Sequence, residues 1–102
     1  MLNRQQFLLT KLAEEASEIV KASLKSQQFG LELKLADGDI VCTNKQLIHN
    51  EINDLLAIVE MLNEEYNFQF VPNKTDIETK KFRVNMYSHK SVNLGQLEDN
   101  KK

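Results

Sequence analysis

Residues 44–66, NKQLIHNEINDLLAIVEMLNEEY, decide the fold. Ile48, Ile52, Leu55, Val59, Leu62 and Tyr66 recur at steps of four and three, the spacing of one face of an α-helix. Thr43 with Gln46 fits a capping box at its start. The pattern therefore predicts a helix from Asn44 to Tyr66. Upstream, Leu8, Leu12, Ile19 and Ala22 recur at the same period and predict a helix over 3–27, stopped at Phe29-Gly30. Between the two lies FGLELKLADGDIVCT, residues 29–43. Leu31, Leu33 and Leu35 alternate with polar residues and Asp37-Gly38 supplies a turn, so this stretch suits a short hairpin and a plain loop equally. Downstream, residues 67–73 form a connection containing Pro72. Thr75 with Glu78 offers another capping box, predicting a third helix over 75–88 with a poorer apolar pattern of Ile77, Phe82, Val84 and Met86. Residues 95–102 read as a frayed tail. The expected architecture is an all-α helical bundle in a single domain spanning 1–102.

Bulk composition narrows the function classes. The chain has 102 residues, enough for one domain and too few for two. Hydrophobic residues make up 41% and charged residues 27%, an ordinary globular balance. A net charge of -2 with pI near 5.7 gives no general attraction to nucleic acid or to an anionic membrane. The opening stretch MLNRQQFLLTKLAEE is only briefly apolar and reads as neither a signal peptide nor a membrane span. The lone Cys42 can close no intrachain disulfide, and no CxxC or Cys/His pairing for zinc accompanies it. With polar neighbours and no nearby histidine it is a poor catalytic thiol. A reducing, cytoplasmic setting is expected.

The acidic residues carry the chemistry. A helix advances about 100° per residue, so each side chain has an assignable direction. Glu15 falls inside the first helix's apolar stripe, Glu18 at its margin, and Glu14 further round the same flank. Glu51 and Asp54 share a stripe with Leu47, Ile58 and Met61, beside the second helix's main apolar face. Each pair has i, i+3 spacing, which brings both side chains to one region of the surface. An ionised carboxylate among apolar side chains must be neutralised, paired or metal-bound. Any one of these acids suits a solvated surface position or an ion pair with Lys11, Arg4 or Lys45. Two helices each carrying such a pair beside the core favour a site for a hard divalent cation.

These residues also match a family pattern. Glu14-Glu15-Ala16-Ser17-Glu18 reads as EExxE and Glu51-Ile52-Asn53-Asp54 as ExxD. Followed by the apolar run LLAIVEML, the combination resembles the all-α nucleoside triphosphate pyrophosphohydrolase superfamily, which includes MazG, the dimeric dUTPases and the dCTP pyrophosphatases. The chain is most similar to the short, single-domain MazG-like members, many of them encoded by phages. The resemblance covers residues 5–66 well and residues 74–95 loosely. The connection from Glu18 to Glu51 is longer than the family's usual one, which leaves room for a reshaped base pocket.

The resemblance implies Mg²⁺, with Mn²⁺ as a substitute, on Glu15, Glu18, Glu51 and Asp54. It implies catalytic roles for Glu14 and Glu15, with Glu14 orienting or deprotonating the attacking water or supporting the ligands from outside the coordination sphere. The implied reaction is hydrolysis between the α and β phosphates, giving a nucleoside monophosphate and pyrophosphate, without a covalent intermediate. Phosphates need cations: Lys80, Lys81 and Arg83 are the first candidates, though they equally suit a solvated basic face, and Lys21 and Lys25 the second. Phe29, Asn53 and Tyr87 are candidates for contact with the base. His49 and His89 are expected at the surface. The family builds its site by associating subunits, and two strong helices with one poor one make too little core, so a dimer or tetramer is expected with the active-site four-helix bundle completed by oligomerisation.

Two other carboxylate chemistries fit poorly. A di-iron bundle needs Glu-x-x-His, which the sequence lacks. An EF-hand needs a ligand-rich loop ending in Glu, which residues 37–43 do not provide. The remaining alternative is a non-catalytic helical protein: a dimerisation module, a nucleotide-sequestering protein or a phage protein acting on a host factor.

Overall fold

A computed structural model describes residues 1–37 and 40–99. The chain is all-α, and the described residues form three helices and one small hairpin: α1 Arg4–Phe29, β1 Lys34–Asp37, β2 Ile40–Thr43, α2 Asn44–Tyr66 and α3 Lys74–Asn93. It divides into two compact units, Met1–Phe70 and Val71–Lys102.

In the first unit, both helix starts are fixed by their own side chains. The Asn3 side chain accepts from the Gln6 amide at 2.8 Å, and the Gln6 side chain accepts from the Asn3 amide at 3.0 Å. Thr43 and Gln46 make the same reciprocal pair, so the capping box expected for α2 is present. Such boxes satisfy amides that have no partner inside the helix. Helix α1 ends at Gly30, whose φ of 92° favours glycine and whose amide donates to the Ser26 carbonyl at 2.7 Å.

The 29–43 segment resolves as a hairpin. Antiparallel β1 and β2 pair Lys34 with Thr43, Leu35 with Cys42 and Ala36 with Val41. Cys42 is therefore on a strand and half-buried. The Gly38 position of the expected turn lies outside the described residues. The base of the hairpin is tied to both helices through Asn44, which is 1% exposed. Its amide donates to the Leu33 carbonyl at 3.0 Å and its Nδ2 to the Gly30 carbonyl at 2.9 Å. Neighbouring Lys45 donates its amide to the Leu31 carbonyl and pairs with Glu32.

Helices α1 and α2 pack antiparallel. Arg4, at the start of α1, bonds Glu65, near the end of α2, while Asn44, at the start of α2, meets Gly30 after the end of α1. The buried apolar side chains are few: Leu8 and Leu62 toward one end, Ala22 toward the other. Ser26 and Asn44 are buried with them. On α2 the packed face is rotated from the one its apolar spacing suggests. Leu62 is buried and Ile48, Leu55 and Val59 are half-buried, but Ile52 and Tyr66 are exposed. The face that meets α1 runs through Asn44, Leu47, Ile48, Glu51, Leu55, Ile58 and Leu62. After α2, Asn67 (φ 52°) caps the helix in the left-handed conformation that Asn tolerates. Asn63 then clamps the exit by bonding both the amide and the carbonyl of Phe70, at 2.9 and 3.0 Å.

The second unit is built on α3. Its start is Asn73, whose side chain accepts from the Asp76 amide at 2.9 Å, so the helix begins ahead of the Thr75/Glu78 box expected from the sequence and ends beyond Ser88. No residue of α3 is buried. Ile77, Phe82, Val84, Met86 and Tyr87 are all exposed, more apolar surface than a lone helix in water would carry. Among the described residues, no helix is long and apolar enough to cross a membrane.

Candidate metal centre

Along the inner face of α1 the order is Leu8, Leu12, Glu15, Ile19, Ala22 and Ser26. With 100° per residue, Glu15 is central on that face and Glu18 on its flank. Helix α2 repeats the arrangement, with Glu51 central and Asp54 on the flank. The ends of the α1–α2 seam are thus closed by Leu8, Leu62, Ala22 and Asn44, and its middle is acidic.

Carboxylate oxygens of Glu15, Glu51 and Asp54 all lie within 4.8 Å of one another. Glu15 and Glu51 are half-buried and Asp54 is exposed. Burial pushes the Glu51 carboxyl above its ordinary value, and the charges of Asp54, Glu18 and Glu15 push it further. All four predicted ligands therefore share one electrostatic field, although Glu18 stands outside the closest group. Glu18 accepts from Lys21 at 3.3 Å, with both side chains substantially exposed. An exposed ion pair such as Lys21–Glu18 is worth about 1 kcal/mol at most.

The donor set fits a hard divalent cation. It is all oxygen, it comes from two helices braced at both ends, and its members converge closely enough to share one ion. Nitrogen or sulfur donors, which would favour zinc or copper, do not join the group among the described residues.

The other predicted residues are placed as follows. Glu14 accepts from Lys11 at 3.0 Å, is 54% exposed, and is not one of the converging acids. Phe29, at the end of α1, and Asn53, on α2, are exposed. Lys80, Lys81, Arg83 and Tyr87 are exposed on α3, with Lys81 paired to Glu78 at 3.0 Å. His49 and His89 are exposed, as expected. An open groove of about 220 Å³ adjoins the acids and is lined by Glu18, Lys21, Ala22, Lys25, Leu47 and Glu51. The sequence signal for it is the i, i+4 spacing of Lys21 and Lys25 on the flank that carries Glu18.

Compared with known proteins, the chain matches no family model, no curated protein and no solved structure.

Proposed function

We propose that this chain is a Mg²⁺-dependent nucleoside triphosphate pyrophosphohydrolase that works as a self-associated helical bundle. The observation that carries this reading is the convergence of Glu15, Glu51 and Asp54 within 4.8 Å, two of them half-buried. The EExxE and ExxD pattern of residues 14–18 and 51–54 supports the same reading. So does the shared charge of Glu18, which adds to the repulsion on Glu51.

On this reading each acid takes a role that suits its position. Glu15 and Glu51, central on their helices, supply oxygens from opposite sides of the seam. Asp54 adds a third from the exposed flank, which leaves the solvent side open to phosphate oxygens and water. Glu18 stands one turn along α1 and can exchange Lys21 for the cation, since an exposed pair is weak. Glu14, exposed and paired with Lys11, is the motif acid left to take a proton from the attacking water. When bound, the cation neutralises phosphate oxygens and lowers the pKa of its water.

Self-association follows from the small core. Leu8, Ala22 and Leu62 are the buried apolar side chains of the described residues, while α3 and the outer faces of α1 and α2 expose Val20, Leu24, Leu56, Phe82 and Met86. A core this small holds few kcal/mol on its own. A dimer or tetramer covers these faces and brings further helices beside the acids. The same exposed faces favour the second reading, a non-catalytic interaction protein.

The deciding assay is incubation of the protein with each NTP and dNTP in Mg²⁺, with pyrophosphate as the readout. Turnover that falls about a thousandfold in Glu15→Ala and Asp54→Asn, with the oligomer intact, supports the hydrolase. Fully active variants, or no cleavage of any nucleotide, contradict it.

A further inference from the structure

The groove beside the acids changes charge along its length. Glu18 and Glu51 stand at one end, and Lys21 and Lys25 continue the same side of α1 toward its C-terminus. At 1.5 Å per residue, Glu18 to Lys25 covers about 10 Å of helix. Across from the lysines, Leu47 lies in the first turn of α2, so the positive end of that helix's dipole faces the same stretch. A ligand that fits must therefore present a cation or cation-bound oxygens at one end and further negative charge at the other. The groove is open, and its volume of about 220 Å³ has room for a short charged chain.

The geometry points to Lys21 and Lys25 as the binding site for the phosphate tail of the substrate, in the same subunit and on the same helix as Glu15 and Glu18. This assignment rests on the hydrolase reading and adds one point to it: the first cations to hold the substrate's phosphate chain are on α1. Lys21 is 73% exposed and its pair with Glu18 is long, so turning from Glu18 to a phosphate costs little. Lys25 sits one turn further and reaches the more distant phosphate.

Two titrations on the full-length protein test it. The first is Mn²⁺ alone, followed by electron paramagnetic resonance. The second is inorganic tripolyphosphate in saturating Mg²⁺, followed by calorimetry at low and moderate salt. The Lys21→Gln/Lys25→Gln variant should bind tripolyphosphate at least tenfold more weakly, with a shallower salt dependence. It should bind Mn²⁺ as well as wild type or better, because two cations have left the neighbourhood of the acids. A fold defect would weaken both. Lys21→Arg/Lys25→Arg should keep tripolyphosphate affinity within about threefold. Unchanged tripolyphosphate affinity in the glutamine variant, with Mn²⁺ binding intact, overturns the lysine assignment alone. Absence of Mn²⁺ binding in wild type overturns the hydrolase reading and this assignment with it.

Discussion

Glu15 and Glu51 face each other at the middle of the α1–α2 seam, their carboxylates within 4.8 Å of one another and of Asp54, at positions where a plain helix pair would set two leucines. The fold carries this repulsion in the middle and packs Leu8, Leu62 and Ala22 at the ends. The predictions below separate the two contributions.

Without divalent cations, Glu51→Gln should stabilise the protein at neutral pH. Burial and three neighbouring acids hold the Glu51 pKa above 4.5 in the folded state. Between 4.5 and that raised value the folded chain binds more protons than the unfolded one, so stability falls as pH rises through the window. The Tm advantage of Glu51→Gln over wild type should therefore be small near pH 4.5 and larger at pH 7. A variant that melts at or below wild type at pH 7 contradicts this.

Glu65 should show the opposite dependence. Its hydrogen bond from Arg4 holds its carboxyl below 4.5. The stabilisation is present above 4.5 and is lost as pH falls through the lowered value. Glu65→Gln should melt below wild type at pH 7, and the difference should shrink at acid pH. A difference that persists unchanged there counts against the pair.

Leu62→Ala should cost about 2–5 kcal/mol, because Leu62 is 1% exposed in a core with few other apolar members. Urea denaturation followed by circular dichroism measures it. A loss below about 1 kcal/mol would mean that the end of the seam collapses around the gap.

Sedimentation equilibrium should give a mass of two or four times 11.8 kDa. Phe82→Glu with Met86→Glu on α3 should raise the dissociation constant at least tenfold, about 1.4 kcal/mol, while helicity is kept. A wild-type monomer at all concentrations contradicts the proposed assembly.

Much of this architecture is legible in the sequence, and the gaps have physical causes. The Thr43/Gln46 box and the Asn44–Tyr66 helix read directly because capping and periodicity are local. The rotation of α2 does not, because its apolar residues span more than one face. Only packing against α1 chooses the face centred on Glu51 and leaves Ile52 outside. The start of α3 at Asn73 rather than Thr75 reflects two adjacent capping signals, of which the asparagine is the stronger former of such caps. Convergence of the acids is half legible: the i, i+3 spacing puts each pair on one side of its helix, but that Glu15 meets Glu51 and Asp54 more closely than Glu18 does depends on the register between helices. Asn44 gave no sign of being buried, since its role is to tie a hairpin whose formation was itself open.

The most direct measurement is calorimetric titration of Mn²⁺ and Mg²⁺ into the wild-type protein, Glu15→Ala and Asp54→Asn, paired with thermal melts. Binding to the wild type is expected to be saturable. At a hundredfold excess over Kd it should add about 2.7 kcal/mol of stability, and both variants should lose most of that gain. A wild type that takes up no cation and melts at the same temperature with or without it would contradict the account.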